Sequence, residues 1–201
     1  MDTRVQAPLE DLVVHRDPPP NRVGRTTGGA EQHLTEAAVM LAFAMHLLNE
    51  QAGTSLVEIH PDGEHVKRFE LEPWLLAHGF SVASRKGKGA HFQRGDHAIA
   101  MSFTAGLGDV VGTNGNRRIV AECKGGILNT THPGQKSRLR RGLCEAVGQM
   151  MGREQKDERH IAVVPDTQVT RNLADRMRHR CRASGIEIAL VAGDGCVSFI
   201  A

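Results

Sequence analysis

Apolar residues recur at intervals of three and four along residues 31–51, which is the spacing of one face of an amphipathic helix. Similar patterns predict a short helix over residues 72–79 and longer helices that begin at Ser137 and at Thr170. Short apolar runs between these helices, bounded by Gly, Pro, Asn and Asp, predict β-strands. The predicted strands cover residues 57–60, 66–71, 80–84, 97–103, 107–112, 118–124, 161–164, 186–191 and 197–200.

Two connections in the first half of the chain predict local hairpins or loops. Residues 61–64 read Pro-Asp-Gly-Glu, a turn-forming run that predicts a small hairpin between the strands at 57–60 and 66–71. A glycine-rich, basic segment at residues 85–89 is predicted to be a loop that leads from the strand at 80–84 towards the strand at 97–103. Residues 161–164 are apolar throughout, as in a strand that is buried on both faces of a sheet.

A second hairpin brings ionisable residues together. The apolar segments 107–112 and 118–124 are separated by Thr113–Asn116, whose Asn-Gly pair is the strongest short-range hairpin signal. Antiparallel pairing places Asp109 beside the end of the second strand. Side chains alternate between the two faces of a strand, so Glu122 and Lys124 point in the same direction. We therefore predict that Asp109, Glu122 and Lys124 converge on one spot.

Three ionisable groups on an apolar hairpin need a cation, a substrate or one another. Two neighbouring carboxylates repel unless positive charge lies between them, and a hard divalent ion such as Mg²⁺, or Mn²⁺ in its place, prefers oxygen ligands. The amine of Lys124 could then orient a metal-bound water or stabilise charge on a phosphate oxygen. This chemistry is that of phosphodiester hydrolysis. The alternative is a hairpin that carries an ordinary surface ion pair.

Gly108-Asp109, a spacer and Glu122-Cys123-Lys124 together resemble the motif of the PD-(D/E)XK nuclease superfamily, with glycine in place of the motif's proline. The resemblance implies an α/β fold, more specifically an α+β arrangement with a mixed sheet. Its core would be restriction-endonuclease-like, with a central mixed β-sheet flanked by helices. It also implies a magnesium-dependent endonuclease that cuts double-stranded DNA, in restriction or host defence. Asp109 and Glu122 would bind the metal with the backbone carbonyl of Cys123, and Lys124 would position the attacking water.

Further residues would join this site if the resemblance holds. Glu36 lies in the predicted first helix, from which many members of the superfamily supply another metal ligand, and Glu70 and Glu72 are rivals for that role. Gln149 lies in the helix after the lysine strand and resembles a glutamine that some members use beside the metal. For both Glu36 and Gln149 a plain helix-surface role is the alternative.

The distribution of positive charge indicates where DNA would bind. The formal net charge is only +2, but cations cluster in two segments near the predicted site. The basic helix over residues 176–182 is predicted to be a solvated outer face. Aromatic residues make up 3% of the chain and tyrosine is absent, which favours duplex DNA over single strands or RNA. The predicted nucleic-acid-binding residues are Arg85, Lys86, Lys88, Lys136, Arg138, Arg140 and Arg141.

Length and composition predict one domain over residues 31–201, preceded by a proline-containing segment at 1–30 that is predicted to be a poorly ordered arm or a surface strap. The sequence has no long apolar run and no leader pattern, which predicts a cytoplasmic protein without membrane contact. Cutting both DNA strands takes two active sites, so we expect a homodimer or a subunit of a larger defence complex. The alternative function is a catalytically silent DNA-binding or scaffold subunit that keeps the nuclease fold.

Overall fold

The computed structural model describes residues 9–50, 53–103, 108–153 and 157–200, which form an α/β fold. The helices are α1 (Glu36–Glu50), α2 (Gly63–Arg68), α3 (Leu71–Ala77), α4 (Pro133–Met151) and α5 (Gln168–Ala183). The strands are β1 (Val13–Arg16), β2 (Glu31–Leu34), β3 (Leu56–Ile59), β4 (Ser81–Lys86), β5 (Gly89–Arg94), β6 (His97–Met101), β7 (Val110–Asn114), β8 (Arg117–Cys123), β9 (Gly126–Ile127), β10 (Glu158–Pro165), β11 (Ile186–Val191) and β12 (Val197–Phe199).

A large mixed sheet organises the described residues. Its nine strands lie in the order β12-β11-β10-β8-β7-β3-β6-β5-β4. Strands β8, β10 and β11 are parallel, as are β3 and β6, and the other neighbouring pairs are antiparallel. A second sheet of three strands has the order β1-β2-β9. The prediction of an α/β fold with a mixed sheet flanked by helices is thus confirmed.

Helices cover both faces of the large sheet. Along β8, Ile119, Ala121 and Cys123 belong to the core cluster that contains α1, whereas Val120 belongs to the cluster of α4 and α5. This alternation is the period-two pattern of a strand that is buried on both sides. Residues 37–45 of α1 are all buried, so this helix lies inside the protein and exposes little of its surface.

The first helix begins later than the periodicity predicted. Residues 31–34 form β2, which pairs with β1 and β9, and α1 starts at Glu36. Thr35 ends the strand and caps the helix, because its side-chain oxygen accepts a hydrogen bond from the N–H of Ala38 at 3.2 Å. The apolar pattern runs through both elements and hides the boundary.

The sequence predicts a poorly ordered arm or a surface strap before residue 31, and the described residues 9–30 form short elements that contact the rest of the fold. Leu12 is completely buried in the main core, and β1 pairs along its whole length with β2. Residues 25–31 also contact the segment before α4, where the side chain of Asn129 bonds to the backbone of Thr27, Ala30 and Gln32. Residues 1–8 lie outside the described part of the chain.

The hairpin predicted over residues 57–71 is wrong. Strand β3 forms, but it pairs with β6 and β7, and residues 63–68 form α2. Asp62 explains the difference, because its carboxylate accepts a hydrogen bond from the N–H of Glu64 at 2.9 Å, at the start of a helix. The predicted loop at 85–89 is a tight turn, since β4 continues to Lys86 and β5 follows from Gly89.

The second half of the chain follows the sequence prediction closely. Strands β7 and β8 form the predicted antiparallel hairpin, β10 is a buried central strand, and β11 and β12 pair antiparallel. Helix α4 starts at Pro133, four residues earlier than predicted, with His132 as its N-cap. Within the described residues, no helix is long and apolar enough to cross a membrane.

Candidate active site

The predicted site lies at one end of the large sheet, where β7 begins and β8 ends. The N–H of Asp109 donates to the carbonyl of Ala121 at 2.9 Å, and its own carbonyl accepts from the N–H of His60 at 2.8 Å. Asp109 is therefore held by backbone bonds to the neighbouring strand on each side. Asp109 thus extends the pairing of β7 with both β8 and β3 by one residue. This pairing fixes the position from which the Asp109 side chain leaves the sheet.

Gly108 allows the backbone to adopt the conformation that places Asp109 next to the end of β8. Its φ is +106°, and a Cβ atom there would lie 2.6 Å from Cγ1 of Val120. Proline cannot adopt a positive φ, and any side chain would collide with β8. Glycine, and not the proline of the motif that this hairpin resembles, is thus required by the backbone conformation that brings Asp109 to the end of β8.

The carboxyl groups of Asp109 and Glu122 are hydrogen-bonded to each other. Oδ2 of Asp109 also accepts from the backbone N–H of Cys123 at 2.7 Å. Burial raises the pKa of Asp109, against the opposing effects of the Cys123 N–H and the Lys124 charge. Burial, the charge of Asp109 and the shared hydrogen bond raise the pKa of Glu122 to about 7. Near neutral pH the pair therefore holds a proton that a cation could replace.

Lys124 lies next to the two carboxyl groups and forms an ion pair with Glu36. Its Nζ donates to Oε1 of Glu36 at 2.9 Å, and both side chains are largely buried. Burial lowers the pKa of Lys124, but the hydrogen bond to Glu36 and the charges of Glu36, Asp109 and Glu122 outweigh it, so that the pKa is raised. The ammonium group stays protonated across the physiological pH range.

Two glycines allow the elements around Lys124 to come close together. A Cβ on Gly125 would lie 2.5 Å from the backbone nitrogen of Glu36, so the end of β8 touches the first turn of α1. A Cβ on Gly142 would lie 3.3 Å from Cβ of Lys124, so α4 packs against the stem of the lysine. The ammonium group is directed towards Glu36 by packing on both sides.

The structure brings Asp109, Glu122, Lys124 and Glu36 together, as the sequence predicted. Cys123 also lies in the site, where its N–H binds Asp109 while its thiol is buried on the opposite face of β8. Among the described residues, no group of three or more His, Cys, Asp or Glu side chains could hold a metal ion. Mg²⁺ is usually held by one or two carboxylates together with waters and substrate phosphates, so the pair of Asp109 and Glu122 fits its requirements.

Other predicted acidic and amide residues lie elsewhere. Gln149 is exposed on α4, seven residues beyond Gly142, which corresponds to about 10 Å along the helix. Glu70 is exposed at the start of α3, and Glu72 pairs with Arg85. The predictions of a site role for Gln149, Glu70 or Glu72 are therefore not supported by the geometry.

The basic turn between β4 and β5 lies at the same end of the sheet as Asp109. This position follows from the strand directions, because β7 pairs antiparallel with β3, β3 parallel with β6, β6 antiparallel with β5 and β5 antiparallel with β4. Lys86 and Lys88 are exposed on the β4–β5 turn. Four strand spacings separate β4 from β7, or about 19 Å. Arg85 is bound to Glu72, so its charge is largely compensated.

The cations of α4 do not form one surface, because successive helical residues point in different directions. Lys136 and Arg140 line a cavity of about 840 Å³ between α4 and the start of α5. Arg138 lines a different cleft, which also contains Glu36. Arg141 is exposed and lies 3.6 Å from Glu145 on the same helix.

Sequence reasoning missed several residues around the site. His60 directly precedes the Pro-Asp-Gly-Glu turn of the predicted hairpin, but its side chain is 5% exposed at the end of β3, beside Asp109. Arg16, Arg22 and Arg68 line the cleft next to Glu36. The two N-terminal arginines lie in the segment predicted to be an arm, and the pairing of β1 with β2 that positions them leaves no local sequence signal.

The chain matches no protein-family model, no curated protein and no solved structure. The likeness to the PD-(D/E)XK superfamily therefore depends on the residues of the β7–β8 hairpin and their surroundings.

Proposed function

We propose that this protein is a magnesium-dependent endonuclease that hydrolyses phosphodiester bonds in double-stranded DNA. The observation that carries the proposal is the carboxyl pair of Asp109 and Glu122, half-buried at the end of a hairpin, with the ammonium of Lys124 held beside it by Glu36. Burying two carboxyl groups in contact is unfavourable, so a protein that keeps them gains something other than stability.

Each side chain has a distinct role in this proposal. Asp109 and Glu122 would hold Mg²⁺ or Mn²⁺, with the backbone carbonyl of Cys123 as a further candidate ligand. The bound ion would supply Lewis-acid stabilisation of the phosphate and an activated water. Because its pKa is raised, Lys124 acts as a cation that stabilises negative charge on the phosphate or orients the water, and not as a proton acceptor. Glu36 positions Lys124.

Duplex DNA is the proposed substrate because exposed or partly exposed cations lie on both sides of the carboxyl pair. Lys86 and Lys88 extend along one direction of the sheet end, and Lys136 and Arg140 lie over the start of α5. Such contacts hold a phosphate backbone without reading bases. A single site cuts one strand, so breaking the duplex would require a homodimer or a partner in a larger defence complex.

Substitution of the hairpin residues tests the proposal. Asp109→Asn and Lys124→Met should each lower plasmid cleavage in Mg²⁺ on the order of 100-fold or more, while binding of duplex DNA in EDTA persists. Asp96→Asn is the matched control, because Asp96 is exposed in the β5–β6 turn at the opposite end of the sheet. Cleavage by either site variant at the wild-type rate would refute the assignment.

The wild-type protein distinguishes a nuclease from a silent subunit. A nuclease should cut duplex DNA only with a divalent ion, and Mg²⁺ should raise its thermal midpoint. A DNA-binding or scaffold subunit would bind duplex DNA but show neither effect. Double-stranded DNA, single-stranded DNA and RNA should be compared at one salt concentration, because charge-driven binding depends strongly on salt.

A further inference from the structure

A cleft of about 350 Å³ opens directly beside Glu36 and carries four arginines from separate parts of the chain. Arg16 ends β1, Arg22 ends the 3₁₀ turn at Pro20–Arg22, Arg68 ends α2, and Arg138 lies on α4. We propose that this cleft, termed here the arginine cleft, binds backbone phosphates of the DNA strand next to the scissile bond. The inference rests on the proposed nuclease function and assigns a substrate contact to the N-terminal segment.

The arginine cleft has an excess of uncompensated positive charge. Arg16, Arg68 and Arg138 are exposed, and none of them forms an ion pair within 4.0 Å among the residues that the structure describes. The two carboxylates in its wall are already paired, since Glu36 binds Lys124 and Glu64 binds Lys67 at 2.7 Å. Glu64 also interacts electrostatically with Arg68, but the arginines outnumber the carboxylates of the wall, so a polyanion entering the cleft meets a net positive charge.

A buried carboxylate orients the fourth arginine. Glu31 is 2% exposed and accepts from Nε and Nη2 of Arg22 at 2.6 and 3.0 Å. It also contacts Nε2 of His33, another lining residue, at 2.8 Å. The hydrogen bond from Arg22 is the largest of the effects that lower the pKa of Glu31. Arg22 is thus held in one orientation before any ligand arrives, which reduces the entropy lost on binding.

The backbone connects the cleft to the active site. Lys124 ends the hairpin, and the next two residues, Gly125 and Gly126, form part of the cleft wall. Gly126 pairs with Leu34 in the small sheet, and a Cβ at Gly126 would collide with Leu139 at 2.4 Å. The small sheet therefore fixes the arginine cleft relative to Lys124. A strand whose phosphate lies near Lys124 can continue into the cleft with its next phosphates.

Phosphodiester groups are the ligand that this chemistry favours. Arginine guanidinium groups match the geometry of phosphate oxygens, and four of them converge here. A volume of about 350 Å³ is at the small end of the range of ligand pockets, which suits a single backbone unit better than a folded partner segment. The ligand is therefore assigned as internal phosphates of the DNA strand.

The test measures duplex binding without catalysis. In EDTA, log K for a 30-base-pair duplex falls linearly with log salt, and Arg16→Ala/Arg68→Ala should reduce that slope by about two. Arg180→Ala/Arg182→Ala removes the same charge from exposed positions at the far end of α5 and should leave the slope unchanged. Arg16→Lys/Arg68→Lys keeps the charge and should retain the wild-type slope. An unchanged slope in the alanine variant, with an unchanged thermal midpoint, would overturn the proposal.

Two further comparisons separate the sources of failure. A covalently closed DNA circle should show the same loss as the linear duplex, whereas a loss confined to duplexes with 5′-phosphate ends would overturn the assignment to internal phosphates. If Asp109→Asn abolishes cleavage but the alanine variant keeps the wild-type slope, the arginine cleft is wrong and the nuclease stands. If the wild-type protein neither cuts nor binds duplex DNA, both proposals fail.

Discussion

The raised pKa of Glu122, which lies beside Asp109, links the proposed chemistry of the site to the stability of the fold. The folded-state pKa of Glu122, about 7, lies above the ordinary value of 4.5. The folded protein therefore binds more protons than the unfolded chain between these pH values, so the free energy of unfolding falls as the pH rises through this window. Above about pH 7 the full cost of two ionised, half-buried carboxylates remains, unless a cation binds them.

Glu122→Gln should consequently stabilise the metal-free protein at pH 8, by about 1–3 kcal/mol after allowance for solvent screening. At pH 4.5 the variant and the wild type should differ little, because Glu122 is then protonated in the folded state. Denaturant unfolding in EDTA at both pH values measures this difference. Equal stabilisation at both pH values would show that the glutamine improves packing and does not relieve charge. Added Mg²⁺ should stabilise the wild type more than the variant.

In the proposed nuclease, Glu36 would act on the reaction through Lys124. Its carboxylate supports the protonated amine by a hydrogen bond of 2.9 Å and by its charge, so Glu36→Gln should lower the pKa of Lys124. We expect a roughly 10-fold loss of kcat and an alkaline limb of the activity profile that moves to lower pH, with DNA affinity in EDTA unchanged. A uniform loss of rate at every pH would indicate that Glu36 is a metal ligand, as the resemblance implies, and not a positioning residue.

At the scale of elements, the β7–β8 hairpin depends on a single glycine at its start. Gly108→Ala should destabilise the protein by about 2–4 kcal/mol, because the left-handed φ of +106° is strained for alanine and the added methyl would lie 2.6 Å from Val120. Gly148→Ala is the matched control, since Gly148 lies in α4 with no atom within 4 Å of an added Cβ. The control should be stabilised by about 0.5–1 kcal/mol. Urea unfolding checks both values, and similar midpoints for the two variants would contradict the proposed strain.

The elements that sequence reasoning predicted well are those specified by neighbouring residues. Asn114-Gly115 determines the hairpin turn, and the alternation along β8 then places Glu122 and Lys124 without knowledge of the rest of the fold. The small sheet could not be predicted in this way. It joins residues about ninety positions apart, such as Leu34 and Gly126, and none of its strands is longer than four residues. The arginine cleft depends on this long-range pairing, so Arg16, Arg22 and Arg68 gave no signal, whereas Arg138 was predicted from the basic run at the start of α4.

At the scale of the whole molecule, parallel and antiparallel pairings collect the proposed DNA contacts at one end of the large sheet. The starts of β7 and α5 and the ends of β3, β8 and β10 all lie there, together with the β4–β5 turn. In this arrangement the strand spacing of the sheet fixes the distances between the proposed DNA contacts, whereas residues of the helices supply most of their positive charge. The distance between two contacts along the sheet then predicts the number of base pairs that the proposed DNA-binding surface covers.

The outermost of these contacts should matter only for long DNA. Lys86 and Lys88 lie about 19 Å from β7, a distance that corresponds to roughly six base pairs if the duplex runs along the sheet end. Lys86→Ala/Lys88→Ala should therefore lower the salt slope by about two on a 30-base-pair duplex and by less than one on a hairpin with a stem of about five base pairs, which is too short to reach from β7 to the turn. Arg180→Ala/Arg182→Ala again controls for net charge. An equal reduction of the salt slope on both DNA lengths would mean that the duplex crosses the end of the sheet and does not run along it. The proposed path of the DNA would then be wrong.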